Sequence, residues 1–171
     1  MTYSIHRAPI ALIILLVTFF VLFVLPTRAD AYVKTGESTI KADGSIIFLM
    51  DYVFGHEKHE IGMPVIARDT DGALPSMLSY QIFDETGARV AGRAIGIVLS
   101  SARVDGTGEY VVPKGHSRKF TLMVIFTPEK NNAVSKYRLQ VTSLPFYFDK
   151  TQLLRLNPSE LTHYTTALVT P

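Results

Sequence analysis

Cysteine and tryptophan are both absent from this sequence of 171 residues. Without cysteine the chain has no thiol nucleophile, no redox pair and no Cys-type zinc site. It also has no disulfide, so its domain has to be held together by an apolar core. The only Asn-x-Ser/Thr sequence is Asn157-Pro158-Ser159, and its central proline prevents N-glycosylation.

A strong charge of either sign is missing as well. The 17 basic and 15 acidic side chains leave a formal net charge of +2. Such a balance provides no basic field that would attract nucleic acid or an anionic membrane surface. We therefore expect no nucleic-acid partner, and no membrane contact except through the N-terminal segment.

That N-terminal segment carries the clearest pattern in the sequence. His6-Arg7 precedes an apolar run over residues 10–25, and Ala29-Asp30-Ala31 follows it. A basic start, an apolar centre and a small-x-small site are typical of a secretory signal peptide. The pattern predicts a signal peptide over residues 1–31, cleaved after Ala31, and an exported domain over residues 32–171.

An uncleaved membrane anchor is the alternative for the same apolar run. The run is shorter than the roughly 20 residues of a spanning helix and slightly longer than the roughly 7–15 residues of a signal core. In both cases the rest of the chain is exported. The predicted location is periplasmic, extracellular, or anchored to the outer face of the cytoplasmic membrane. An exported chain without cysteine or a glycosylation sequon is more typical of bacteria than of animals.

Short β-prone runs separated by turn residues follow Tyr32. Asp43-Gly44 predicts a β-hairpin because both residue types tolerate positive φ. Thr86-Gly87 predicts another reversal. Pro64 lies inside the run over residues 61–68 and predicts an edge strand or a bulge, since proline cannot donate to a ladder.

The second half of the chain contains two further strand patterns. Residues 119–126 are apolar on both alternating faces, which predicts a central strand covered on both sides. Residues 137–141 alternate between apolar and polar, and the short polar loop over residues 128–133 predicts that the two strands form a hairpin. Turns spaced by about 8–12 residues indicate a single all-β domain, a sandwich or a barrel.

The segment from Leu156 to Tyr164, Leu-Asn-Pro-Ser-Glu-Leu-Thr-His-Tyr, begins with a predicted helical turn at Asn157. It resembles the E–F corner of immunoglobulin-like and fibronectin type III sandwiches. The resemblance implies an antiparallel β-sandwich in which Leu156 and Tyr164 have structural roles and the Tyr164 hydroxyl binds the backbone. The lack of tryptophan and of a cysteine pair excludes an antibody-type domain.

The C-terminal end of the chain departs from this resemblance. Only seven residues follow Tyr164, so the last strand of such a sandwich would be missing, and that edge could accept a strand from another subunit. Alternatively, Leu156 and Tyr164 are ordinary core residues.

The loop over residues 55–60 is the candidate metal site. His56, His59 and Glu60 are ligand types for zinc or copper, although their spacing is not that of the metalloprotease motif. A third ligand would have to come from elsewhere, such as Asp51, His116 or His163. The alternative is a solvated, charged loop between two strands.

Three other patterns have a structural explanation that we prefer. Met50 and Met63 flank the histidine loop and would suit copper, but methionine more commonly fills gaps in a core. Residues 69–72, Asp-Thr-Asp-Gly, resemble the start of a calcium loop and equally a β-turn. Residues 146–148, Phe-Tyr-Phe, are expected to close the core rather than to form an exposed binding patch.

The sequence contains no motif for catalysis, so we expect neither an enzyme nor a cofactor. It predicts an exported, non-catalytic cell-envelope or surface β-sandwich that acts in binding, adhesion or assembly. Its partner would be another protein or a cell-surface component. The alternative function is a periplasmic metal-binding protein that uses His56 and His59. The sequence leaves the oligomeric state open.

Overall fold

A computed structural model describes residues 31–42, 44–70, 77–129 and 136–170. The predicted leader up to residue 30, Asp43, the Asp71-Gly72 pair and most of the predicted loop over residues 128–133 lie outside the described residues. The elements in chain order are β1 (Ala31–Ala42), β2 (Ser45–Gly55), β3 (Ile61–Pro64), β4 (Ile66–Asp69), β5 (Leu78–Asp84), β6 (Gly92–Ser100), β7 (Arg103–Val104), β8 (Glu109–Val112), β9 (Ser117–Pro128), β10 (Tyr137–Ser143), β11 (Pro145–Phe148), β12 (Gln152–Arg155) and α1 (Pro158–Leu161).

The strands form two sheets. The large sheet has the order β1-β2-β9-β6-β4-β5-β10, and the small sheet has the order β12-β11-β3-β8-β7. The predicted all-β fold is therefore confirmed at the level of a two-sheet β protein. The expectation of purely antiparallel pairing is wrong for β4 and β5, which run parallel from the pair Ala67–Leu78 to the pair Asp69–Tyr80. Residues 70–77 separate the two strands in the sequence, more than the two residues of a tight hairpin, which would join antiparallel strands.

Pro64, where the sequence predicts an edge strand or a bulge, is the point where the chain changes sheets. The edge-strand alternative is wrong, because β3 lies between β11 and β8 in the small sheet. β3 pairs with β8 and β11 in the small sheet, whereas β4 pairs with β5 and β6 in the large one. Pro64 has no N–H for a continuous ladder. The carbonyl of Val65, between the two strands, accepts a hydrogen bond from Val98 N at 3.0 Å. One short run thereby ties the two sheets together.

A single apolar core lies between the sheets. Alternate residues of β2 point into it because side chains alternate across a strand, and they are fully buried. The Tyr52 and Phe120 rings stack at 5.7 Å within the large sheet. The Phe54 ring meets Phe146 of the small sheet at 5.5 Å. The predicted closure of the core by the 146–148 segment is confirmed for Phe146, which is buried.

Two reversals share the sequence Asp-x-Thr-Gly. In residues 84–87, Asp84 Oδ1 accepts hydrogen bonds from Thr86 N and Thr86 Oγ1, and Gly87 has a φ of 86°. In residues 105–108, Asp105 accepts the same two bonds from Thr107, and Gly108 has a φ of 83°. Glycine adopts this positive φ without strain. The first reversal was predicted, and the second was missed although it carries the same motif.

The C-terminal residues 164–170 contact both edge strands of the large sheet. On one side, Val141 N donates to Tyr164 O at 2.9 Å, and bridges join this segment to β10. On the other side, Lys34 Nζ donates to Thr165 O at 2.6 Å and Glu37 accepts from Ala167 N at 2.7 Å. The segment makes isolated bridges rather than a continuous strand. The edge expected to lie open beside Tyr164 is thus bridged by the chain's own C-terminal end.

The prediction for residues 119–126 is correct in one respect and wrong in two. Strand β9 is central, between β2 and β6, and its inner residues are buried. The described residues leave its outer face uncovered at Ile125, which is 39% exposed. The hairpin with residues 137–141 is also wrong, because β10 pairs with β5 at the far side of the sheet. Met123 and Ile125 make the outer side of β9 apolar at its centre, which is why the sequence predicts cover on both faces.

Gly96 on β6 provides a test of this packing. A Cβ at position 96 would lie 2.4 Å from the Tyr80 ring, which is buried and cannot move aside. We expect Gly96→Ala to lower the free energy of unfolding by roughly 1–3 kcal/mol, as overpacking does in cores. Gly106→Ala is the matched control, because nothing lies within 4 Å of a Cβ there. Equal stability of the two variants in urea denaturation would contradict the packing described.

Candidate functional site

The predicted metal-site loop forms a three-ring cluster with Phe148. The rings of His56 and His59 lie 4.8 Å apart. Each also contacts the Phe148 ring, His59 stacking on it at 4.7 Å and His56 meeting it edge-on at 4.5 Å. Phe148 in turn packs against the core. The structure therefore brings the two histidines together on an aromatic base.

Hydrogen bonds assign different tautomers to the two imidazoles. His56 Nδ1 accepts from Lys58 N at 3.0 Å and from His59 N at 3.2 Å, so its ring proton lies on Nε2. His59 Nδ1 lies 2.6 Å from Asp149 Oδ2, and an ionised carboxylate can only accept. His59 therefore carries its proton on Nδ1, and its Nε2 is the nitrogen suited to a metal.

Asp149 was not singled out from the sequence, yet it holds the loop in place. Its Oδ1 accepts from Glu60 N at 3.0 Å, and its own N donates to Glu60 O at 2.9 Å. It has a positive φ of 48° in the turn between β11 and β12, a conformation that aspartate tolerates better than most residues. The next residue, Lys150, pairs with Asp105 at 3.2 Å. One tight turn thus holds two loops of the small sheet.

The electrostatics of this turn favour ionised carboxylates. The hydrogen bond from His59, together with the one from the Glu60 amide, lowers the pKa of Asp149 below its ordinary value of 3.8. The pKa of Asp105 is lowered as well, mainly by the hydrogen bond from the Thr107 hydroxyl, with further bonds from backbone amides and Lys150. Both groups therefore contribute as acceptors at neutral pH.

The structure does not add a third ligand to the two histidines. Within the described ranges no group of three or more His, Asp or Glu side chains could hold a metal ion. Of the suggested partners, Asp51 is paired with Lys119 at 2.7 Å on the large sheet, and His163 follows α1. Met50 and Met63 are fully buried in the core. The metal site of His56, His59 and Glu60 stays a prediction.

Leu156 and Tyr164, the residues of the corner-like segment, are both buried in the core. The Tyr164 ring lies 6.0 Å from the Tyr52 ring, and burial raises the pKa of Tyr164 to about 12. Among the residues that the structure describes, its hydroxyl has no hydrogen-bond partner. The backbone bond that defines a tyrosine corner is thus not seen there, and the likeness to immunoglobulin-like and fibronectin type III domains stays a prediction.

The outer face of the large sheet carries many exposed aliphatic side chains, a feature that was not predicted from the sequence. Its exposed aliphatic side chains lie 39–55% open on neighbouring strands: Ile40, Ile66, Ile95, Ile97, Leu99 and Ile125. We call this surface the outer aliphatic face, and it also includes the half-buried Ile47, Leu49 and Met123. A signal was present in β6, where Ile95, Ile97 and Leu99 recur at every second residue.

Strand register sets these side chains in two adjacent rows. The first row crosses β1, β2, β9 and β6 through the partners Ile40, Ile47, Ile125 and Ile95. The second row crosses β2, β9, β6 and β4 through Leu49, Met123, Ile97 and Ile66. Opposed aliphatic side chains in such rows contact one another and leave a continuous apolar surface. The largest apolar patch on a monomeric protein is often a binding surface.

Polar residues border the rows. At one end, Ser45 and Thr127 share a hydrogen bond of 2.7 Å, and Arg93 pairs with Thr127 in the same register. At the other end, Lys119 and Asp51 form their own ion pair at 2.7 Å. An apolar centre with a polar border is the arrangement found in protein–protein interfaces.

Comparisons with known proteins provide no further guide. The chain matches no protein-family model, no curated protein and no solved structure. In the described part of the chain, no helix has the length and apolar character needed to cross a membrane. Function is therefore inferred from the sequence pattern and the geometry above.

The hydrogen bonds from His59 and the Glu60 amide to the Asp149 carboxylate, which we call the Asp149 clamp, predict a pH-dependent contribution to the free energy of unfolding. Because the folded-state pKa lies below 3.8, the carboxylate stabilises the fold above that value, and the stabilisation is lost as the pH falls through the folded pKa. We expect Asp149→Ala to be less stable than wild type at neutral pH, with the difference narrowing in acid. Urea denaturation at several pH values measures this. Glu57→Ala, an exposed change in the same loop, should show no such convergence, and a pH-independent loss in Asp149→Ala would contradict the clamp.

Proposed function

We propose that this chain is an exported, non-catalytic protein of the cell envelope or surface that acts in binding or assembly. Its outer aliphatic face would be the contact surface. The observation that carries the proposal is the pair of aliphatic rows, in which Ile95, Ile97 and Ile125 stay exposed although their strands are central. A face of this kind gains free energy when another surface removes it from water.

Three properties of the chain support the same function. The N-terminal pattern over residues 1–31 is typical of an export signal. The β framework is built without cysteine and is held by one core, which suits a domain that folds after export. The sequence has no catalytic motif, and the buried tyrosine hydroxyls have raised pKa values rather than values near neutrality. A rigid binding module needs no titrating group.

In-cell photo-cross-linking tests the proposal directly. The full chain would carry a photo-reactive phenylalanine analogue at position 97, and the exported fraction would be irradiated. We expect covalent adducts with a polypeptide, because position 97 lies in the second aliphatic row between Ile66 and Met123. The intact mass of the uncross-linked product reports whether cleavage occurs after Ala31.

The matched control carries the same analogue at Val104, which is 48% exposed on β7 of the small sheet. Adducts from position 97 and none from position 104 would support binding through the outer aliphatic face. Equal adducts from both positions would show non-specific contact and contradict the proposal. A product that stays in the cytoplasm with its N-terminus intact would contradict the export part.

A metal-binding function is the second candidate, and one observation favours it. His59 donates through Nδ1 to the Asp149 carboxylate, which is how metal-binding histidines are commonly oriented by a neighbouring group. His56 would have to move its proton to Nδ1 and give up two backbone hydrogen bonds before its Nε2 could bind. Metal binding therefore competes with the loop structure, which makes this candidate the weaker one.

Calorimetric titration with Zn²⁺ and Cu²⁺ separates this candidate from a purely structural loop. If the site binds metal, the His56→Ala/His59→Ala double variant loses the binding that the wild type shows, because both imidazole ligands are removed. Glu129→Ala is the control, because this exposed carboxylate follows the C-terminal end of β9, whereas the loop lies beside Ser117 at the start of that strand. Identical titrations for wild type and the double variant would end the metal hypothesis.

A further inference from the structure

We infer that the outer aliphatic face binds the same face of a second copy of this chain, forming a closed two-fold dimer. The inference rests on the proposed function, because it names the partner for the surface described above. It is carried by the size of the face, by its charge and by its shape.

The size of the face is that of a dimer interface. Neighbouring strands lie about 4.8 Å apart and alternate residues about 6.8 Å apart, so each outward position covers roughly 33 Å² of sheet. The nine aliphatic positions therefore cover roughly 300 Å². Six polar positions on the border extend the face to roughly 500 Å² in projection: Ser45, Asp51, Arg93, Lys119, Thr121 and Thr127. Side chains that project from the sheet add to this area. A specific interface buries at least about 1,000 Å² in total, or about 500 Å² of each partner, so this face reaches the size that a dimer needs.

The charge of the face permits contact with itself. The eight side chains of its two rows are not ionisable. Arg68, exposed two residues after Ile66 on β4, lies at the end of the first row, so a second copy brings no like charges together between the rows themselves. The Lys119–Asp51 pair at its border is already neutralised at 2.7 Å, and Thr121 Oγ1 also donates to Asp51 at 2.6 Å. Neither ion of this pair requires a counter-charge from the partner. An anionic lipid surface or a charged polypeptide would leave its own charges unmatched against these rows.

The shape of the face is complementary to another pleated sheet. The rows consist mostly of isoleucine on adjacent strands, which form ridges at the strand spacing. Two such faces interdigitate at about 10 Å, as the sheets of a β-sandwich do. A two-fold axis supplies the matching surface from the same gene product and closes the assembly at two copies.

Single-cysteine cross-linking of the exported full chain tests the dimer. The chain has no native cysteine, so in the Ile97→Cys variant only the introduced thiol reacts with a bismaleimide. We expect a product of twice the monomer mass. The control, Val104→Cys, presents a thiol of similar exposure on the small sheet and should give at least tenfold less of this product.

A second variant links the product to the aliphatic rows. Ile125→Lys in the Ile97→Cys background places an unpaired charge in the interface of each copy, and we expect at least a tenfold loss of the dimer. Circular dichroism checks that this variant keeps its β structure. If it does not, the double variant Ile97→Cys/Ile66→Lys takes its place, because Ile66 lies in the same row as Ile97. Loss of dimer in a folded variant supports the inference, and an undiminished yield overturns it.

The remaining outcomes separate this inference from the proposed function. If position 97 photo-cross-links another polypeptide and the Ile97→Cys variant gives no dimer, the dimer is wrong and binding through the face stands. If position 97 cross-links only to residues 10–25 of its own chain, or to nothing, then the dimer and the proposed binding through the outer aliphatic face are both wrong. Equal dimer yields from Ile97→Cys and Val104→Cys would reflect random collision and overturn the dimer.

Discussion

The packing of aromatic and aliphatic side chains between the two sheets is the interaction on which the rest of the structure depends. A cysteine-free chain has no disulfide between its sheets, so burial of this core has to provide the cohesion. The inner residues of β2 and β9 form its centre, and Phe146 reaches it from the small sheet. The surface features of the large sheet are held in position by strands that are anchored on their inner side.

Anchoring on one side explains why the two candidate sites differ in character. The three-ring cluster lies where loops leave the sheets, and its geometry is maintained by hydrogen bonds from the Asp149 turn. The outer aliphatic face lies on the strands themselves, and its geometry is set by backbone register. Because the strands are rigid, their apolar side chains stay exposed and do not fold inward away from water. Two histidines without a third ligand form an incomplete metal site, whereas the outer aliphatic face is a continuous surface that a second protein can cover. The geometry therefore favours protein binding over metal binding.

The sequence was sufficient for features that depend on local chemistry. The Asp43-Gly44 hairpin is confirmed by the pairing of Ala42 with Ser45. The helical turn at Asn157 is confirmed by α1, where Asn157 N donates to the Glu160 carboxylate at 2.7 Å. Features that depend on contacts between residues far apart in the sequence could not be predicted from it. Nothing local indicated that β10 would pair with β5 rather than β9, or that Asp149 would reach the histidine loop.

The wrong prediction for β9 has a physical explanation that bears on function. A strand with apolar residues on both faces indicates that both faces are removed from water, but it does not tell which chain covers them. The described residues cover the inner face alone, and the outer one carries Met123 and Ile125 in line with the aliphatic residues of β2 and β6. Three adjacent strands share this excess of apolar residues on the same side, which a chance distribution along one strand would not produce. Coverage by a second molecule reconciles the two-sided apolar sequence with the one-sided packing of a single chain.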